Sequence, residues 1–556
     1  MPTPSLADMT RRPWRLAAFL VPVALLLGCG KSSPSTGTAA APTAAPAHVR
    51  QLLRFGNNAE PQDIDPQVVT GIPESHIIQA IYDSLVDLDP KDLHPVPGLA
   101  QSWDISADGT VYTFHLRPNL LWSDGSPMTS EDFLLSWKRM ISPRLGSEYA
   151  YLIYNFVKGA KDYYEQKITD FSEVGLKAPD ARTLEVTLNS RTPFLLAIIG
   201  DHYAWHAVPI KVLLKYGSLD DRSTPWTKPG NWVGSGPFIV KEWIPQVKLS
   251  VVRNPYYWDA KNVKLDEVDF IPTEDIPAEE RMFRAGQLDK TQEIPDSKID
   301  AYRRDHPEQL RIEPYLGIYF YRCNVTRPPL NDKRVRRALA LGIDREELVK
   351  NVTRGGEAPA YAVSYPGDAG YTPVAKITGT REDARRLLAE AGFPGGKGLA
   401  PIELTYNTSA NNKQIAEAIQ EMWRRNLGVE STLVNQEWKV YLDNQHSHNF
   451  QMQRSGWIAD YADPHVFLEI WETANGNNDT LWSNPEYDKL LHQALAAPTN
   501  EARYAIYQKM DAILCDEVPV IPIYYYTRPY LMTTRVKGYW ANVLDIHPFK
   551  DIYMAP

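Results

Sequence analysis

Cysteine is scarce: Cys29, Cys323 and Cys515 are the three in a chain of 556 residues. They form no CxxC pair and no metal-ligand spacing, so no cysteine-held metal centre is expected. Cys323 and Cys515 can pair in an oxidising compartment or stay separate, and spacing does not decide between these. Positive charge is also short, with 59 Lys and Arg against 68 Asp and Glu and a formal net charge of −9. No basic run or Arg/aromatic ladder offsets this, which argues against nucleic acid as a partner. Apolar runs are short as well. The longest, Leu16 to Leu27, falls below the roughly 20 residues that span a bilayer.

Catalytic spacings are missing too. There is no HExxH, Gly234-Ser235-Gly236 is not a GxSxG elbow, and Ala391 stands where the first glycine of a phosphate loop ending at Gly396-Lys397 belongs. His202 and His206 are spaced for one helix face, as are His446 and His448 for one strand face, but neither pair has a third ligand. Each is expected to be satisfied separately. Asp220-Asp221 and Glu279-Glu280 read as solvated faces rather than acid/base pairs. The expectation is therefore a protein that is not an enzyme and uses no metal or cofactor.

What is present begins with an export signal over 1–28: Arg11, Arg12 and Arg15 precede the apolar run. Leu26-Leu27-Gly28-Cys29 resembles the lipobox of bacterial lipoproteins, which implies a mature chain starting at a lipidated Cys29. Residues 29–49 are mostly Ser, Thr, Pro, Ala and Gly, too poor in apolar surface to fold, and read as a flexible tether. The body behind it is then expected outside the cytoplasm, in the periplasm or at the cell surface, held to the membrane through Cys29.

The body alternates strand and helix signals. Ala107-Asp108-Gly109 marks a hairpin before the strand Val111 to Arg117, and Thr129 with Asp132 marks a helix start before Phe133, Leu134 and Trp137. A helix is expected from about Ser75 to Ser84. Ile402–Thr405, Asn411–Asn426 and Val429–Val434 read as strand, helix, strand, the order of a parallel βαβ unit. Pro519 and Pro522 make the strand near 518–526 an edge or crossover strand.

One stretch concentrates chemistry: Arg454-Ser455-Gly456-Trp457-Ile458-Ala459-Asp460-Tyr461-Ala462-Asp463-Pro464. A carboxylate between Trp457 and Tyr461 suits a positive ligand group, because charge attraction and cation–π contact act together. The same residues also fit a strand-to-turn corner with core aromatics and a solvated Asp460.

Several stretches together resemble the family-5 solute-binding proteins of bacterial ABC importers. They are Asp108 to Arg117, Trp122-Ser123-Asp124-Gly125, Asn407-Thr408-Ser409, Val434 to Trp438, and Gly456-Trp457-x-Ala459-Asp460-Tyr461. The resemblance runs from about Phe55 to Tyr553. It implies an α/β, two-lobed fold of mixed sheets flanked by helices, closing on its ligand, with an extra domain on one lobe. Domain I would take 50–82, 208–316 and 527–556, domain II 83–207, and domain III 317–526. Hinge strands would lie near Leu316–Asn324 and Tyr524–Arg528. It further implies a monomer that binds extended oligopeptides and hands them to permease subunits, or a lipoprotein for peptide signalling or cell-wall peptides. In the implied site Asp460 takes the peptide's ammonium group and Gly456, Trp457 and Ile458 pair with its main chain. Arg454 meets the far carboxylate, Tyr149 and Tyr526 form walls, and Asn412, Thr353 and Gln445 stand where other members carry basic groups. The positions of a cysteine pair known in some members fall on Gly317 and Ile458.

Overall fold

Three main sheets lie within residues 50–556, the part that the computed structural model describes; the signal 1–28, Cys29 and the tether 29–49 lie outside the described residues. The first sheet orders Leu52–Gly56, Glu267–Ile271, Lys248–Arg253 and Phe238–Ile244, with one parallel pair. The second is antiparallel: Ala100–Ile105, Val111–Leu116, Thr183–Thr187 and Leu176–Asp180. The third is mixed and has six strands in the order Ala358–Pro359, Val520–Leu531, Leu310–Cys323, Met452–Ile458, Ile402–Asn407 and Ser431–Gln436. Helices cover these sheets, giving an α/β architecture. No helix among the described residues is long and apolar enough to cross a membrane.

Local chemistry explains the elements. Gly109 turns at φ +71° between the first two strands of the second sheet. Thr129 and Asp132 cap the helix Ser130–Met140 reciprocally, and its Phe133, Trp137 and Met140 are wholly buried. Ile402–Asn407 and Ser431–Gln436 pair in parallel around the helix Ala410–Leu427, as the βαβ order predicts. At Gly236 a Cβ would sit 2.5 Å from the backbone of Ile81 and Tyr82, so the chain crosses here only because the residue is glycine.

Three expectations are corrected. The helix expected from Ser75 runs over Ile72–Ile81, because Pro73 is tolerated in a first turn whose N–H groups have no partner. Glu279 and Glu280 are buried rather than solvated: Glu279 accepts the backbone N–H groups of Gln292 and Glu293, and Glu280 accepts the Tyr302 hydroxyl at 2.8 Å. The strand Val520–Leu531 has a neighbour on both sides, though the outer one covers only Tyr524 and Tyr525. Cys323 and Cys515 are both free and buried.

The strand Leu310–Cys323 organises the third sheet. Its ladder with Val520–Leu531 breaks between Pro314, opposite Thr527, and Ile318, opposite Tyr525.

Candidate functional site

The strand Met452–Ile458 has two unequal edges. One pairs antiparallel with Leu310–Cys323 from Cys323 to Gly317. The other meets Ile402–Asn407 only at Met452 and Gln453. The Ala459 N–H donates to the Leu316 carbonyl at 2.8 Å, so odd-numbered backbone groups face that partner and those of Arg454, Gly456 and Ile458 face away. Tyr441 Oη donates to the Arg454 carbonyl. Beyond it, Gly456 and Ile458 have no strand beside them and front a cavity of about 310 Å³. That volume lies at the small end of ligand sites. An added Cβ at Gly456 would approach Tyr526 Oη to 2.6 Å, so glycine is what lets Tyr526 lie against this edge.

Asp460 stands where the strand ends. Its side chain is 12% exposed, Oδ1 is 3.5 Å from His202 Nε2, and Oδ2 is buried with no hydrogen-bond partner. His202 Nδ1 accepts the Ala204 N–H at 3.0 Å, and burial holds the ring well below its ordinary pKa. The imidazole is therefore neutral and supplies no charge to Asp460. Burial in turn pushes the Asp460 carboxyl well above the usual carboxylate range. Asp201 lines the same end, and burial followed by the Asp460 charge pushes its carboxyl up as well. Tyr149 packs on His202 at 4.1 Å between ring centroids and reaches Trp457 at 6.4 Å. Trp457 and Tyr149 thus wall the carboxylate. Tyr461 does not: it stacks on Phe194 at 5.2 Å, gives its hydroxyl to buried Glu469, and belongs to the core. Its place beyond the strand end turns it away from the cavity.

At the other end the Arg454 guanidinium lies over the Tyr319 ring at 4.7 Å and donates to Tyr526 Oη at 2.7 Å and Asn407 Oδ1 at 3.4 Å. Its Nε is buried without a partner, and no described carboxylate forms an ion pair with it. The other guanidinium groups in the wall are neutralised, Arg322 by Asp479 and Arg528 by Asp545. Asn412 is buried at the start of the helix Ala410–Leu427, where it accepts from Tyr319 Oη at 3.3 Å and donates to Asn407 Oδ1 at 3.0 Å.

One cavity thus gathers Asp460, Trp457, Gly456, Ile458, Arg454, Tyr526, Tyr149 and Asn412. Sequence reading passed over Asp201, His202, Glu293, Asp296 and Glu357, which line it from distant segments and share no local motif with the 454–464 stretch. His202 had been weighed only as a metal ligand, beside His206.

The dead-end carboxylate, the bare strand edge and the unpaired guanidinium can be set beside known proteins. Residues 94–479 match the family described as bacterial extracellular solute-binding proteins, family 5. The chain belongs to this family. Over 519 residues it is 36% identical to the periplasmic oligopeptide-binding protein OppA of Escherichia coli strain K12, covering 91% of this chain and 93% of that one. Among solved structures, the murein tripeptide binding protein MppA of Escherichia coli superposes with a TM-score of 0.87 at 34% identity, covering 91% of this chain and 99% of that one. Haemophilus influenzae OppA in complex with RPPGFSPFR gives 0.86 at 30% identity, covering 91% and 99%. The unliganded open form of MppA gives only 0.61, with 91% and 97% covered. This family-5 chain therefore has the two-lobed fold of the periplasmic peptide-binding proteins and stands nearer one of two conformations that a relative adopts.

Proposed function

We propose that this family-5 protein is an extracytoplasmic receptor that captures oligopeptides in extended form between its lobes and delivers them to the permease of an ABC importer. The observation that carries the reading is the half-bare strand edge running from a carboxylate with one unpartnered, buried oxygen to a guanidinium that no described carboxylate neutralises. A peptide added antiparallel to Met452–Ile458 hydrogen-bonds to Gly456 and Ile458 through its main chain, whatever its side chains. Its ammonium group meets Asp460, whose carboxyl ionises fully when that charge arrives. Its far carboxylate runs along the strand toward Arg454, six positions from Asp460 and about 20 Å away at about 3.3 Å per residue. Tyr149, Trp457 and Tyr526 shut out water along the way, and Asn412 steadies the polar network under Arg454.

The bending point is the ladder break between Pro314 and Ile318, opposite 525–527. Domains I (50–82, 208–316, 527–556), II (83–207) and III (317–526) are the parts that move about it or ride on them. A lipid on Cys29 ties the monomer to a membrane. The resemblance to a murein tripeptide binding protein supports a second reading, capture of cell-wall peptides.

Native mass spectrometry of freshly purified protein tests both readings. Co-purified peptides are expected, and diaminopimelate in them selects the second. Asp460→Asn should weaken free-amine peptides by about 2–5 kcal/mol, about 30-fold or more, while N-acetylated peptides change little. Equal losses for both would remove Asp460 from the ammonium site.

A further inference from the structure

The cavity wall beyond Arg454 is acidic. Glu293 and Asp296 line it from the segment 289–298 and Glu357 from the loop after Thr353, beside Tyr524 and Tyr526. Two of the three are anchored: Asn58 Nδ2 donates to Glu293 at 2.8 Å, and Thr353 Oγ1 donates to Glu357 at 2.8 Å. Asp296 differs. It is 4% exposed, and its backbone N–H donates to Asn411 Oδ1 at 3.3 Å. Its carboxylate has no hydrogen bond or ion pair from any described residue. Burial, then the charges of Glu357 and Glu293, push that carboxyl well above its ordinary range. Of the cations that act on this wall, Arg454, felt by Glu293, is engaged with Tyr526, and Arg354, felt by Asp296 without an ion pair to it, donates to the Asn351 carbonyl at 3.0 Å.

Such a wall is costly while empty and favourable once a cation enters. A bare metal ion is a poor occupant. Among the described residues only Asp89, Asp92 and His94 come close enough together to share one, and they are not in this cavity. Three carboxylates set wider apart, in a cavity that Tyr524 and Tyr526 also line, suit an organic cation on a flexible stem.

We propose that Glu293, Asp296 and Glu357 form a subsite for a cationic side chain, lysine or arginine, toward the Arg454 end of an extended peptide. The proposal rests on the peptide-receptor reading and deepens it. Its place follows from the strand: the three carboxylates share the cavity with Arg454, six positions along the chain from Asp460, and so lie away from the ammonium end.

Calorimetry on the wild-type protein tests this without any variant. The peptides are alanine frames of about three to seven residues ending in lysine, in norleucine or in Nε-acetyl-lysine. Lysine peptides should bind about tenfold tighter or more than both neutral partners, the size of one charge-assisted hydrogen bond. If all three bind alike, the subsite is refuted and the receptor reading stands. If none binds and none co-purifies, both fail. Asp296→Asn and Glu357→Gln should bring the ratio of lysine to norleucine affinity to within about twofold. A preference that survives both changes overturns the assignment.

Discussion

Asp460 and Gly456 carry most of the argument at the scale of single residues. An acid whose pKa is raised by folding costs stability once the unfolded chain ionises. The empty protein is therefore penalised by Asp460 as pH rises above about 4, and the penalty stops growing above the folded-state pKa. Asp460→Asn should accordingly melt higher than wild type at pH 7 without ligand, and the gap should close near pH 4. Thermal melts across that range measure it, and a gap independent of pH would deny that the carboxyl is perturbed. Gly456→Ala drives a methyl group into Tyr526 Oη, which has to move and release Arg454. A loss of about 1–3 kcal/mol in urea unfolding is expected, together with weaker peptide binding. An alanine variant of wild-type stability and affinity would show that Tyr526 has room to give.

At the scale of elements the strand Met452–Ile458 is asymmetric, and hydrogen exchange can read that asymmetry. In the empty protein the amides of Gly456 and Ile458 should exchange quickly and those of Ser455 and Trp457 slowly. Peptide should slow the first pair and leave the second unchanged; equal protection of all four beforehand would mean the edge is already occupied. This level also separates what the sequence reveals from what it hides. The capping box at Thr129, the Gly109 turn and the 402–436 βαβ unit were legible because each is settled by contacts a few residues apart. The 454–460 stretch was legible as chemistry because strand, glycine and carboxylate follow one another directly. His202 and Asp296 were not, since His202 meets Asp460, and Asp296 comes to line the same cavity, only after distant segments close together. Tyr461 misled for the same reason. Its neighbour in sequence, Asp460, faces the cavity, while Phe194, far away in the chain, and Glu469, eight residues on, claim its ring and hydroxyl.

For the whole molecule, one relative matches this structure at 0.87 and its open form at 0.61. A shape change on that scale should appear in solution as a fall in radius of gyration when peptide is added, measured by X-ray scattering. A constant radius would place the closed form in the empty protein as well. The lipid proposed on Cys29 predicts that Cys29→Ala gives soluble protein, and continued membrane pelleting would argue against that lipid anchor. The unpaired half of Met452–Ile458 carries a hazard along with its use. A naked β-edge is a template on which any extended chain can stack, and proteins that display one on their surface risk polymerising. Here that template is walled in by Tyr149, Trp457 and Tyr526, so crowding is harmless while the jaws are shut. A version locked wide open and starved of guests should clump as its concentration rises, and a saturating dose of short peptide should cure it.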